Sequence, residues 1–316
     1  MPIVRDLSAL PDSARGGAVA IGNFDGVHRG HARIVRKLLE RAGEFNGPAV
    51  VFTFDPHPVR LLRPEQCPPP LTWTERKAQL LAGFGVHKLV AYPTDRELLG
   101  LSAEDFFKRI VVEALQARAM VEGPNFYFGR NRQGDVNTLR DLTEAHGMTL
   151  DIVTPIESSG ELVSSSRIRK AIATGDVADA AEMLTAPYRI RGLVTHGVGR
   201  GAKIGFPTAN LAGIDTLLPA PGVYAGRAWH NGISHAAAIH LGGNPTFDEP
   251  EQKVEVHLIG REETLYGETL EVEFLHRLRG VEPFPSKDAL VAQLREDVAE
   301  AKRIALAPTT NRQDED

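Results

Sequence analysis

The sequence predicts two domains of different class in tandem: an α/β domain built on a parallel sheet, then an antiparallel β barrel or sandwich closed by one helix. Three observations predict it. Apolar strand-like runs alternate with amphipathic helical spacings through residues 1–185. Near Pro187 the runs become short and β-branched, separated by Gly, Pro and Asn clusters. From Ser286 onward the apolar residues return to helical spacing. A length of 316 residues agrees, because one hydrophobic core seldom organises so long a chain.

In chain order, Ala18-Val19-Ala20-Ile21 reads as a buried strand, and Ile34, Val35, Leu38, Leu39 and Ala42 mark one face of the following helix. Residues 49–54 read as the next strand. Apolar runs at 88–92, 119–121 and 150–153 alternate with further helical patterns, one opening at Ser102 with an acid, Asp105, three residues on. Ligands of open α/β sheets lie beyond the carboxyl ends of the strands, so the turn at 22–30 is the first place to look for a site. Prolines make 64–70 a stiff surface loop. In the second half, Pro219-Ala220-Pro221-Gly222 and His230-Asn231-Gly232 mark turns. Ser286 is placed to cap a helix whose face carries Leu290, Leu294, Val298 and Ala301. Residues 309–316 are polar and acidic and read as a disordered tail.

Composition narrows the function. With 42% hydrophobic and 24% charged residues the chain is an ordinary globular protein. A net charge of −5 offers no footprint for nucleic acid, so phosphate binding has to be built locally. The single cysteine, Cys67, excludes an internal disulfide framework and fits a reducing compartment. Residues 1–17 contain no apolar targeting segment, and no run approaches the ~18 apolar residues of a membrane span. The expectation is a cytoplasmic enzyme with small-molecule ligands.

The first chemical constellation is Gly22-Asn23-Phe24-Asp25-Gly26-Val27-His28-Arg29-Gly30-His31, running from a strand straight into a helix. Unpaired N–H groups and the positive end of the helix dipole favour phosphate there, Gly30 permits close backbone approach, and His28 and His31 can donate to phosphoryl oxygens. Taken alone, His-x-x-His is equally a surface or metal-binding pair; zinc is discounted because no Cys or acidic cluster lies nearby in the sequence. Ser165 and Ser166 open a later helix where N–H and hydroxyl groups can take phosphate oxygens and Arg169 supplies a fixed fork, although Ser166 can equally be a simple cap. His57, between two prolines, can equally shape a turn.

The second constellation is His196-Gly197-Val198-Gly199-Arg200-Gly201-Ala202-Lys203-Ile204-Gly205-Phe206-Pro207-Thr208-Ala209-Asn210. It is no Walker A sequence, and glycines alone give only a flexible hairpin. Thr208 and Asn210, alternate residues, bring a hydroxyl and an amide oxygen to one face, donors suited to Mg²⁺ beside nucleotide phosphates.

With Phe54-Asp55-Pro56-His57-Pro58, Gly123-Pro124-Asn125-Phe126-Tyr127-Phe128-Gly129, Pro221-Gly222-Val223-Tyr224-Ala225-Gly226, Asn244-Pro245-Thr246-Phe247 and Val254-Glu255-Val256-His257, these segments resemble the prokaryotic bifunctional riboflavin kinase/FAD synthetases. The resemblance runs to about residue 305. It implies a nucleotidylyltransferase domain with a Rossmann-like parallel sheet over 1–185, which adenylylates FMN to FAD with release of pyrophosphate. It implies a riboflavin kinase β-barrel with its closing helix over 186–305, which phosphorylates riboflavin to FMN; residues 306–316, beyond the resemblance, are read from their composition as a disordered tail. It also implies that Gly22, Phe24, Asp25, Gly26, Gly30, His57, Ser165, Ser166 and Arg169 bind ATP in the first domain, with His28 and His31 catalytic and flavin near Asn125. In the second it implies ATP phosphates on Gly197, Gly199, Gly201, Lys203 and Gly205, flavin on Phe206 and Pro207, Mg²⁺ on Thr208 and Asn210, and Glu255 as general base. The expected partners are riboflavin, FMN and ATP, with no nucleic acid, no membrane and at most weak self-association.

The chain departs from the family's usual residues at Ala186-Pro187-Tyr188, Ile239-His240-Leu241-Gly242, Gly260-Arg261, Ser166 and Tyr127. The departures near His240 motivate a second hypothesis, a second domain reduced to a flavin-binding module. A third, a non-catalytic flavin sensor, has no need of His28, His31, Thr208, Asn210 and Glu255 together.

Overall fold

The computed structural model describes residues 1–197, 199–244, 249–261 and 264–308. The tail at 309–316 and the segment 245–247 noted above lie outside the described residues. By its internal contacts the chain forms two compact units: Met1–Pro68 with Trp73–Ser164, and Pro69–Thr72 with Ser165–Asp316.

The first unit holds a six-stranded sheet: β1 (Ile3–Val4), β2 (Ala18–Ile21), β3 (Ala49–Asp55), β4 (Lys88–Pro93), β5 (Ala119–Glu122) and β6 (Thr149–Ile152). Its order is β1-β4-β3-β2-β5-β6, with every pair parallel. Helices α1 (Arg29–Glu44), α2 (Pro58–Leu62), α3 (Thr74–Gly83), α4 (Arg96–Gly100), α5 (Ala103–Phe106) and α6 (Val136–Ala145) connect the strands, and a π-helix at Phe107–Ala114 extends α5. Ser102 caps α5 by accepting the Asp105 N–H at 3.0 Å.

Both sheet faces are covered, so the strands are apolar on both sides. Ala18, Ala20, Ala49 and Val51 pack with Val35, Leu38 and Ala42 of α1 and Leu81 of α3. Val19, Ile21, Val50 and Phe52 pack on the other face with Phe106, Phe107, Ile110 and Leu139. From β2 the chain passes to β3 on one side and returns through β5 on the other, so the strand order reverses at β2. Beyond the carboxyl end of such a strand a crevice opens between diverging connections, and the turn into α1 lies there.

Between the sheet and the barrel the chain forms a small hairpin, β7 (Glu157–Ser158) and β8 (Glu161–Leu162), in the first unit. The second unit opens with α7 (Ser165–Thr174) and α8 (Val177–Met183) and continues into a closed barrel. The barrel strands are β9 (Arg189–Thr195), β10 (Ala209–Ala212), β11 (Gly222–His230), β12 (Ile233–Asn244), β13 (Glu249–Leu258) and β14 (Thr269–Arg279), ordered β10-β13-β12-β11-β14-β9. The barrel, not a sandwich, resolves the alternative left by the sequence, and closure removes the exposed strand edges. His230 pairs with Ile233, leaving Asn231 and Gly232 as a two-residue hairpin loop, both at positive φ (49° and 79°). Short helix α9 (Arg200–Lys203) lies in the glycine loop. The closing helix α10 (Lys287–Leu306) is capped by Ser286, which accepts the Ala289 N–H at 3.1 Å, and packs on β11 and β12.

Candidate active sites

In the first unit the site is a strand-end turn held under strain. Phe24 and Val27 adopt φ of 46° and 43°, a region that side chains with a Cβ disfavour, at a cost of about 1–3 kcal/mol each. Both side chains are buried in the core beneath α1, and burying each contributes about 1.5–3 kcal/mol, enough to offset the strain.

His28 is the N-cap of α1, and His31 sits three residues into the helix. The His31 N–H donates to Nδ1 of His28, and the His28 N–H donates to Nδ1 of His31, each at 3.3 Å. This is a reciprocal capping box in imidazoles. Both Nδ1 atoms are acceptors, so each neutral ring carries its proton on Nε2 and has a donor left for a ligand. The rings stack with centroids 3.6 Å apart. Burial pulls the His28 pKa down to about 4, opposed by a main-chain hydrogen bond. Burial, then His28 and the Lys77 ammonium, hold His31 well below the ordinary histidine range. At neutral pH these are neutral donors.

Three side chains that no motif singled out support this turn. Lys77 of α3 is buried and donates from Nζ to the Asn23 carbonyl at 2.6 Å and to Thr53 Oγ1 at 3.3 Å. Thr53 Oγ1 also donates to the Asn23 carbonyl, at 3.1 Å. Buried Glu122, at the end of β5, accepts the Ile21 N–H at 2.7 Å, and burial raises its pKa well above the usual range despite that bond. In sequence Lys77 is a polar residue within a helical pattern and Glu122 the end of an apolar run, so neither carried a signal.

The remaining expected residues of this half are more dispersed. Gly22, Asp25, Gly26 and Gly30 lie within the turn and the first turn of α1. His57 caps α2 by accepting the Val59 N–H at 3.1 Å. Asn125 is exposed in the loop after β5, where Phe126 stacks on Phe128 with ring centroids 5.3 Å apart. Ser165 and Ser166 stand in the first turn of α7, with Arg169 donating from Nε to the Pro69 carbonyl at 3.4 Å; all belong to the second compact unit.

The second unit encloses a cavity of about 390 Å³, within the range of small-molecule sites. One belt of the barrel faces it. Arg279 is opposite Val223, Val223 opposite His240, His240 opposite Glu255, Glu255 opposite Asn210, and Asn210 opposite Thr195. Directly opposed residues of antiparallel strands point to one face, and all six line the cavity. Glu255 is thus flanked by an amide and an imidazole. Burial lowers the His240 pKa, with Glu255 and the Gly243 carbonyl opposing and Arg279 adding to it.

Gly197, Gly199, Gly201, Phe206 and Thr208 line the same cavity. Two of the glycines are there for space. A Cβ at Gly197 would fall 2.1 Å from Asn210 Nδ2, and one at Gly201 would fall 2.3 Å from the Phe206 carbonyl oxygen. Thr208 and Asn210 offer a hydroxyl and an amide oxygen, hard donors that fit Mg²⁺ shared with phosphate and water. Lys203, Gly205 and Pro207 are exposed and outside the cavity lining, though the Pro207 carbonyl accepts from His257 Nδ1 at 2.8 Å. On the apolar side the lining comes from Phe284 and from Leu290, Leu294 and Val298 of α10. There Arg279 donates from Nη2 to buried Asp297 at 2.8 Å.

Comparison with known proteins places both halves. The family model for FAD synthetase matches residues 10–167, and that for riboflavin kinase matches residues 184–305. A bifunctional riboflavin kinase/FMN adenylyltransferase from Pseudomonas fluorescens is 36% identical over 313 residues, covering 99% of this chain and 100% of the relative. One from Escherichia coli K12 is 33% identical over 306 residues, covering 96% and 98%. A crystal structure from Streptococcus pneumoniae, described as a macrolide-efflux protein, is 31% identical with a TM-score of 0.84, covering 96% of this chain and 98% of that one. Among the described residues of the present chain no helix is long and apolar enough to cross a membrane.

Proposed function

The chain belongs to the bifunctional riboflavin kinase/FMN adenylyltransferase family, with an FAD synthetase domain followed by a riboflavin kinase domain, and on that premise we propose how its residues divide the work. The enzyme phosphorylates riboflavin to FMN with its C-terminal domain and adenylylates FMN to FAD with its N-terminal domain. We take 185/186 as the functional boundary.

The observation that carries the kinase assignment is the register that sets Glu255 beside Asn210 on the wall of the barrel cavity. Glu255 takes the proton of the ribityl hydroxyl as its oxygen attacks the γ-phosphorus of ATP, and ADP departs; such a base is worth about 10²–10⁴ in rate. Gly197, Gly199 and Gly201 present backbone to the phosphates, Lys203 and Gly205 extend that loop, and Phe206 and Pro207 adjoin the flavin. Thr208 and Asn210 would hold Mg²⁺, which supplies charge neutralisation between the phosphate oxygens when bound.

In the N-terminal domain an FMN phosphate oxygen attacks the α-phosphorus of ATP and pyrophosphate leaves. The nucleophile is already ionised at neutral pH, so the site has to align reactants and stabilise charge, not remove a proton. His28 and His31 donate from Nε2 to the phosphoryl oxygens as charge develops on them. Backbone from Gly22 to Gly30 cradles the phosphates, with Phe24, Asp25 and Gly26 shaping the turn. His57, Ser165, Ser166 and Arg169 serve as nucleotide ligands, and Asn125 as a flavin contact. The lone Cys67 supports a cytoplasmic address.

The test is chromatographic. Purified protein with riboflavin, ATP and Mg²⁺ should form FMN first and FAD later, and a parallel reaction started from FMN should form FAD without a lag. FAD from FMN alone would leave the barrel as a flavin-binding module.

A further inference from the structure

We propose that Lys77 is a positioning residue of the adenylylation site: its buried ammonium locks the strand-end turn through the Asn23 carbonyl and sets a fixed positive charge beneath the two imidazoles. The inference rests on the reading of His28 and His31 as phosphate donors.

Lys77 is only 7% exposed, and its two hydrogen bonds go to neutral oxygens, the Asn23 carbonyl at 2.6 Å and Thr53 Oγ1 at 3.3 Å. A buried cation is costly unless it is paired, and an apolar side chain of similar shape would serve packing alone better. Burial lowers the Lys77 pKa, and two carboxylates oppose that electrostatically, Asp25 in the turn and Asp55 at the end of β3. Asp55 is already engaged, accepting from Arg5 Nη1 at 2.7 Å and from Thr74 Oγ1 at 2.8 Å. Beyond it Glu75 of α3 pairs with the same Arg5, at 3.2 Å. Neither carboxylate accepts a hydrogen bond from the ammonium, which stands at a turn whose Nε2 donors already suit an anion. A triphosphate arriving there completes it.

The same charge bears on the histidines. Lys77 is among the groups holding His31 neutral, after burial and His28. Neutrality matters because the capping box needs Nδ1 as an acceptor on both rings, and a protonated ring would break it. Lys77 thus acts twice, on the backbone of the turn and on the protonation of His31.

The experiment compares the full-length enzyme with Lys77→Met, Lys77→Gln and Lys77→Arg. FAD formation from FMN is read as kcat and KM for ATP, riboflavin phosphorylation serves as a control within the same molecule, and His31 is titrated by NMR of labelled imidazole. We expect Lys77→Met to lower adenylylation kcat on the order of tenfold to a hundredfold. Kinase activity should stay within about twofold, since its groups lie in the other domain. The His31 titration should move upward in pH, and Lys77→Arg should recover most of both effects. Lys77→Gln keeps a donor for the Asn23 carbonyl without charge and provides a second variant should Met fail to fold. Wild-type kcat in Lys77→Gln, or a His31 titration unmoved in every variant, would overturn the proposal. A wild-type enzyme that makes no FAD from FMN would instead sink the assigned activity, while the His31 titration would still judge Lys77.

Discussion

The two proposed sites would meet phosphate chemistry by opposite means. The proposed adenylylation turn is local: it runs unbroken from Gly22 to His31, and its donors would be two imidazoles that cap one helix. The proposed kinase site is distributed: its belt from Thr195 to Arg279 draws one residue from each of six strands, brought together only by barrel register. A site made by a turn and a helix end is robust to change elsewhere but intolerant of change within. A site made by register is exposed to anything that shifts one strand against the next. Buried side chains secure the first, and van der Waals clearance at glycine secures the second.

Substitutions can break this contrast. The largest effect is expected from Glu255→Gln, which should cut FMN formation by about 10²–10⁴ while leaving FAD formation from FMN intact. His31→Ala should do the reverse, lowering FAD formation by about 10²–10³ as one charge-stabilising donor is lost. It should also cost the first domain about 0.5–2 kcal/mol through the broken cap. If either change, in a folded protein, removed both activities, the two sites would not be separate. Gly197→Ala asks whether register and clearance matter as argued, because the added methyl meets the Asn210 amide. We expect kinase activity to fall by roughly tenfold with adenylylation unaffected, and a wild-type rate would show that Asn210 can move freely.

The smallest expected effect is on stability against pH. The folded pKa of His28, about 4, lies below its ordinary 6.5, so the unfolded chain takes up the proton first. The contribution is whole above about pH 6.5 and is lost as pH falls toward 4. Trp73 and Trp229 are the two tryptophans, one in each unit, and allow the comparison by fluorescence-monitored urea unfolding. The Trp73 transition should move to lower urea across that window.

Much of this was legible before the structure. The run from the strand at 18–21 through Gly22–His31 into the helix was legible because strand, glycine and helix start are contiguous, and contiguous patterns survive in one dimension. The Asn231-Gly232 hairpin and the Ser286 cap were legible for the same reason. Lys77, Thr53 and Glu122 were not, since each acts on a backbone atom more than twenty residues away in sequence. His240 was visible only as an unusual residue; that it faces Glu255 follows from strand pairing.

By itself, then, the sequence determined the two fold classes, the order of the domains and the residue types available for each reaction, because periodicity, turn chemistry and motif spacing are properties of neighbouring residues. Tertiary structure decided which of those residues meet. Register aligned Glu255 between Asn210 and His240, barrel closure ruled out a sandwich, and burial made the paired histidines neutral. Hydrogen-bond register and desolvation depend on what packs alongside, and that is set only when distant segments come together.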